Sequence, residues 1–153
     1  VLNDGTTWTD GGTAVPQAPD WDILFTRTIE FQSTDGTSLA AGMNVATRSS
    51  VLLNIYKEVE AAKAEGVRME DVSSKTDGLT FSAAVDAIGY GWYNMSSDMP
   101  PTFSVATNTF VVKTAEGKYA KFQPGTFYGP KNESFYMSFR YLYSDDDSEK
   151  FEK

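Results

Sequence analysis

A chain of 153 residues is long enough for one domain with a substantial core and too short for two. Its net charge of −8 argues against nucleic acid and anionic membrane surfaces, both of which call for concentrated Lys and Arg. It has no His and no Cys, which excludes Ser/His/Asp triads, Cys nucleophiles, redox CxxC pairs and conventional zinc sites. The soft metal ligand that remains is the methionine thioether, at Met43, Met69, Met95, Met99 and Met137.

The 8 Tyr and 10 Phe crowd with β-branched residues into short runs bounded by Gly, Asp, Asn and Pro, the pattern of a mainly β, antiparallel protein. No stretch approaches the roughly 20 apolar residues of a spanning helix. The chain starts at Val1 with neither an initiator Met nor a signal region, and is expected to be a mature form, any export signal or lipid anchor lying upstream.

Residues 1–19, rich in Gly, Thr, Asp and Pro, read as an irregular leader with Trp8 as its one large anchor. A strand is expected from Asp20 through Phe31, ended by the turn Ser33-Thr34-Asp35-Gly36. Over 51–64, Leu52, Ile55, Tyr56, Val59 and Ala62 recur near a 3.6-residue period, with Ser49 or Ser50 to cap and Gly66 to stop, which predicts the one helix of the fold. Residues 88–101 have Gly at one end, Pro at the other and aromatics between, and are expected to form an exposed functional loop. Phe110–Thr114 and Lys118–Phe122 flank Ala115-Glu116-Gly117, a hairpin signal. Ser134–Tyr143 alternates with period 2 and predicts a last strand, and the acidic tail 144–153 is expected to be solvated and frayed.

Asp20-Trp21-Asp22-Ile23, Gly91-Trp92, Pro101-Thr102-Phe103, the run Thr109 to Gln123 and Phe139-Arg140-Tyr141-Leu142-Tyr143, in that order, resemble the HmuY family of haem-binding lipoproteins of Bacteroidetes. The likeness covers most of the chain and is densest in the C-terminal third. It implies a single HmuY-like domain over 1–153, almost all β, in which two axial side chains hold haem between loops at one end of the sheets. It also implies an exported, outer-membrane-attached lipoprotein that collects haem, host haem proteins being one source, for a TonB-dependent receptor. The founding member ligates haem through two histidines; this chain has none, and similar members use paired methionines.

By position, Gly66-Val67-Arg68-Met69 resembles the segment of the family's first ligand, and Trp92 through Met99 that of the second. The resemblance therefore implies Met69 as one metal ligand and Met95 as the other, with Met99 as the alternative second ligand. Met69 stands among Arg68, Glu70 and Asp71, where a Met has little to bury against, whereas Met137 on an apolar-alternating strand reads as core. Tyr90, Trp92, Tyr93 and Phe103 are candidate walls for the porphyrin, with ordinary sheet core as the other reading, and Arg68 is the nearby cation for its propionates. Two other readings stay open: a cell-surface β module binding glycan or protein through exposed Tyr90, Trp92 and Tyr93, and a hydrolase with paired carboxylates at Asp20 and Asp22 or Glu70 and Asp71.

Overall fold

The computed structural model describes residues 7–10, 13–14, 21–26, 30–32, 50–54 and 56–152. The central feature is a four-stranded antiparallel sheet in the order β11 (Ser134–Ser144), β10 (Tyr119–Tyr128), β9 (Asn108–Lys113), β6 (Glu60–Glu65). Around it lie three smaller antiparallel sheets: β1 (Thr7–Asp10) between β2 (Thr13–Ala14) and β4 (Glu30–Gln32), β3 (Ile23–Thr26) with β5 (Ser50–Leu53), and β7 (Tyr93–Met95) with β8 (Phe103–Val105). The expected β9–β10 hairpin forms around Gly117, whose φ of 77° is the left-handed conformation the turn requires. β11 matches its sequence pattern to within one residue.

β9, in the interior of the sheet, is covered on both faces and is buried at Asn108 through Val112 without alternation, whereas edge strand β11 is largely exposed. Phe110 and Val112 join Val51, Leu53, Val59, Ala61, Ile88, Trp92, Phe122 and Phe127 in the main core. Val111 points the other way, into a second core with Val72 and Phe151. Phe25 stacks on Phe139 at 4.8 Å and ties the β3–β5 pair to β11.

The predicted helix at 51–64 is not present. Its first part is β5, with Val51, Leu52 and Leu53 all buried and paired with β3 in the register Ile23↔Leu53 to Thr26↔Ser50. On its other side Val51 exchanges backbone hydrogen bonds with Gly89. Asn54 then breaks the strand, its Oδ1 accepting from the Tyr56 amide and its Nδ2 donating to the Trp21 carbonyl. Residues 60–65 pair with β9. Three successive buried apolar residues cannot lie on one helical stripe, and sheet pairing overrides the helix propensity of the Glu-Ala-Ala-Lys-Ala-Glu run. Ile55 lies outside the described residues.

Three further expectations are corrected. Part of the leader is strand: β1 pairs with β4, placing Trp8 opposite Phe31. Segment 88–101 is not an exposed loop throughout, because Trp92 is fully buried, stacks on Phe127 at 5.5 Å and accepts the Ala106 amide on its carbonyl. The acidic tail is docked rather than frayed. Lys75 and Phe151 donate their amides to Glu149 and Ser73 carbonyls, Phe151 is buried, and Asp146 accepts hydrogen bonds from Lys75 Nζ at 2.9 Å, Ser144 Oγ at 2.9 Å and the Ser148 amide at 2.8 Å. The strand turn expected at 33–36 lies outside the described residues.

Lys75 is almost fully buried, so the Asp146 carboxylate is its main charge partner. That hydrogen bond, followed by those from Ser148 and Ser144, holds the Asp146 carboxyl far below the ordinary aspartate value of 3.8. The native state thus binds this proton less readily than the unfolded chain does. The stabilisation is present above pH 3.8 and is lost as the pH falls below it. Asp146→Asn is expected to lower the urea midpoint at pH 7, with the gap to wild type narrowing below pH 3.8; a gap that does not depend on pH would refute the ionic role.

Candidate functional site

Gly66, at φ 68°, ends β6, and its amide is fixed by Asn108 Oδ1 at 3.0 Å. The chain then crosses to a 3-10 turn at Met69–Asp71, with the Val67 carbonyl held by Thr109 Oγ1 at 2.8 Å. Met69 is half-buried. Its amide donates to Gln123 Oε1 at 3.3 Å, and its carbonyl accepts from Lys121 Nζ at 2.9 Å. Lys121 Nζ also donates to the Val72 carbonyl at 2.7 Å and lies 4.8 Å from the centre of the Phe151 ring. Burial pushes the Lys121 ammonium below its ordinary value, the charge of Glu70 opposing. Glu70 receives a bidentate pair from Arg140, which holds its carboxyl below the usual range, and Arg140 Nη2 also donates to Gln123 Oε1 at 2.6 Å. Arg68 pairs loosely with Asp71 at 3.6 Å with both side chains largely exposed, leaving its cation open to a ligand.

Met95 ends β7 opposite Phe103 and is half-exposed. Beyond it the Ser96 amide bonds to the Thr102 carbonyl, and the Thr102 amide to Ser96 Oγ, closing a loop on which Met99 is 92% exposed. Tyr93 shares Met95's face of β7, two residues back. Its ring packs against Trp92, Phe127, Phe135 and Phe103 at 4.9, 5.3, 5.7 and 6.1 Å, so it props the β7–β8 hairpin on the core while Met95 projects past the cluster. Phe103 stacks on Phe127 at 5.0 Å with rings nearly parallel.

The fold joins Arg68 to Met69 in one unit and Tyr93, Met95 and Met99 in another, and both units rest on β10. The first meets it at Lys121 and Gln123, the second at Phe127. Four residues along an uninterrupted strand, about 13 Å, would leave Gln123 and Phe127 on the same face. The β10–β11 register shifts between Pro124 and Thr126, and this bulge turns Phe127 to the main core while Gln123 faces the second. The two methionine-bearing units therefore approach the β10–β11 hairpin from opposite faces, on either side of the bulge. Beyond the bulge Thr126, Tyr128, Gly129, Pro130, Tyr136, Met137 and Ser138 line a shallow groove of about 360 Å³. Gly129 is required there, because a Cβ would meet Glu133 Oε2 at 2.8 Å and Tyr136 Cγ at 2.9 Å. Tyr128 and Tyr136 were not legible as groove residues, since on a period-2 strand they look like ordinary solvent-face positions.

In donor type, soft thioethers with a nearby cation and aromatic rings suit a haem. Met69, Met95 and Met99 present neutral thioethers outside the core, an aromatic wall stands behind Met95, and Arg68 is a cation beside Met69. A family model described as HmuY protein matches residues 2–141. The chain belongs to the HmuY family. No curated protein matches it. Membership points to haem as the class of ligand of this HmuY-family protein.

The rival surface-platform reading loses its basis, because Trp92 is fully buried and Tyr90 and Tyr93 pack against each other at 6.3 Å. In the paired-carboxylate reading, Asp22 is paired with Lys57 at 2.9 Å and Glu70 with Arg140. Asp20 and Met43 lie outside the described residues. Met137 packs against the main core as expected. Met95→Ala and Met99→Ala are thus expected to change unfolding free energy by less than about 0.5 kcal/mol, and Met137→Ala to cost about 2 kcal/mol. Equal losses in chemical denaturation would show that Met95 is a packing residue.

Proposed function

We propose that this HmuY-family protein is a haem-binding, hemophore-like protein rather than an enzyme, holding one haem through the thioethers of Met69 and Met95. It would act as an exported outer-membrane lipoprotein, taking haem from host haem proteins among other sources and passing it to a TonB-dependent receptor. The observation that carries the reading is the placement of Met69 and Met95: both are kept out of the two cores, on separate units braced against β10. Met99, on the exposed loop beyond Met95, is the alternative second ligand.

Met69 and Met95 would hold haem through neutral thioethers, which favour ferrous iron. Phe103, opposite Met95 and stacked on Phe127, would offer an apolar face to the porphyrin, and apolar contact would provide most of the affinity. Arg68 offers a cation for a propionate. With a net charge of −8, attraction of an anionic ligand must be local.

Titration of the chain with haemin, followed by absorbance in oxidised and reduced buffer, is expected to give a six-coordinate low-spin spectrum strongest on reduction. Met69→Ala and Met95→Ala should each abolish it while Met99→Ala leaves it intact; the reverse result for Met95 and Met99 would reassign the second ligand. No Soret change in either redox state would refute haem binding.

A thioether takes up no proton between about pH 7 and pH 5, a window through which histidine titrates. The Glu70 carboxyl beside Met69 is held below its ordinary value of 4.5 by Arg140, so the ion pair on that turn also persists there. Haem retention is expected to be flat over this window. A steep loss with the fold intact by circular dichroism would contradict methionine ligation.

A further inference from the structure

We propose that Lys121, Gln123 and Arg140 are positioning residues for the Met69 thioether, forming a polar clamp on the backbone of the turn that carries it. The proposal rests on the haem reading above.

The turn at Met69–Asp71 buries none of its residues, and the Arg68 side chain makes no capping hydrogen bond to it. A 3-10 turn of three residues has little stability of its own. Val67 and Val72 anchor the flanks of the turn in the second core, and polar contacts tie the turn itself to the sheet. Gln123 Oε1 accepts the Met69 amide at 3.3 Å; Lys121 Nζ donates to the Met69 carbonyl at 2.9 Å and the Val72 carbonyl at 2.7 Å. Arg140 grips the Glu70 carboxylate with both terminal nitrogens and donates to Gln123 Oε1 at 2.6 Å, fixing the amide that receives Met69.

The three side chains form one patch. Lys121 and Gln123 are two apart on β10 and share a face, and Arg140 sits opposite Gln123 on β11. Both backbone groups of Met69 are therefore tied to the sheet, one by each β10 residue. Methionine has three rotatable side-chain bonds and cannot itself hold sulfur at one point. Fixing its backbone sets the point from which those three bonds reach, so that side-chain rotation alone separates the sheet from the sulfur, an outer-shell role like that of the hydrogen-bonded partners of other metal ligands.

The test is a ferrous haem titration of the full chain carrying Arg140→Met, with absorbance reporting spin state and circular dichroism reporting fold. Arg140 is half-exposed, so the variant is expected to fold. Affinity should fall roughly 10- to 100-fold, the range for loss of an outer-shell partner, with a five-coordinate high-spin fraction appearing. Arg140→Lys should recover part of it, and Arg140→Met should add nothing in a Met69→Ala background. Lys118→Met, which removes an exposed ion pair with Asp147 just before β10, should keep the wild-type spectrum. Lys121→Met should reproduce the spectral change, and if that chain does not fold, Arg140→Met alone decides. A wild-type low-spin spectrum retained with unchanged affinity in Arg140→Met overturns the clamp and leaves haem binding standing. A wild-type chain that never becomes low-spin overturns both.

Discussion

β9 and the adjoining Lys121-to-Pro124 stretch of β10 are covered on both faces, so polar side chains in that stretch are forced into a buried layer and must find partners there. Lys121 and Gln123 are both buried. A buried ammonium without acceptors costs several kcal/mol, and a buried amide group somewhat less. The partners they reach are backbone groups of the segment linking β6 to the second core: the Met69 amide, the Met69 carbonyl and the Val72 carbonyl. Satisfying β10 and placing the Met69 turn are one event. Arg140 extends it to the neighbouring strand, so that turn, β10 and β11 share one hydrogen-bonded group.

The other half of the site depends on a contrasting kind of contact. The β7–β8 hairpin is seated by rings, with Tyr93, Phe103, Phe127 and Phe135 in mutual edge and stacked contacts above the buried Trp92. Aromatic pairs contribute about 0.5–1.5 kcal/mol each beyond burial. One ligand-bearing unit is thus held by polar contacts and the other by apolar ones, on opposite faces of a hairpin that the bulge near Gly125 divides. Met69 and Met95 are the residues that would hold haem, and Tyr128 and Tyr136 border the open groove beyond the bulge.

Much of this was legible in the residues. The Ala115-Glu116-Gly117 turn and the alternation from Ser134 onward rest on local chemistry, and both strands form where that chemistry puts them. Val51-Leu52-Leu53 misled because leucine and alanine spacing near 3.6 also fits two short strands, and only the pairing with Ile23–Thr26 and Gly89 decides between them. The acidic tail misled for a related reason. Its charges suggested solvent, yet Lys75, 71 residues away, neutralises Asp146, and Phe151 finds the second core. For the site, Met69 stood out by its polar neighbours, but nothing local linked it to Lys121, Gln123 and Arg140, whose roles exist only across strands. Trp92 looked like a ligand-facing ring and is core, since a Gly-flanked aromatic reads the same in either setting.

Methionine ligation itself is tested most directly by NMR of the chain labelled with carbon-13 at the methionine methyl groups, which gives one signal for each of its 5 methionines. In low-spin ferrous haem, which is diamagnetic, a methyl carried on an axial sulfur lies over the porphyrin and its protons are shifted strongly upfield by the ring current. Two signals, assigned by substitution to Met69 and Met95, are expected to move upfield in step with added reduced haem while the other three stay near their free positions. Absorbance showing haem bound while neither of those two signals moves would contradict ligation by these residues.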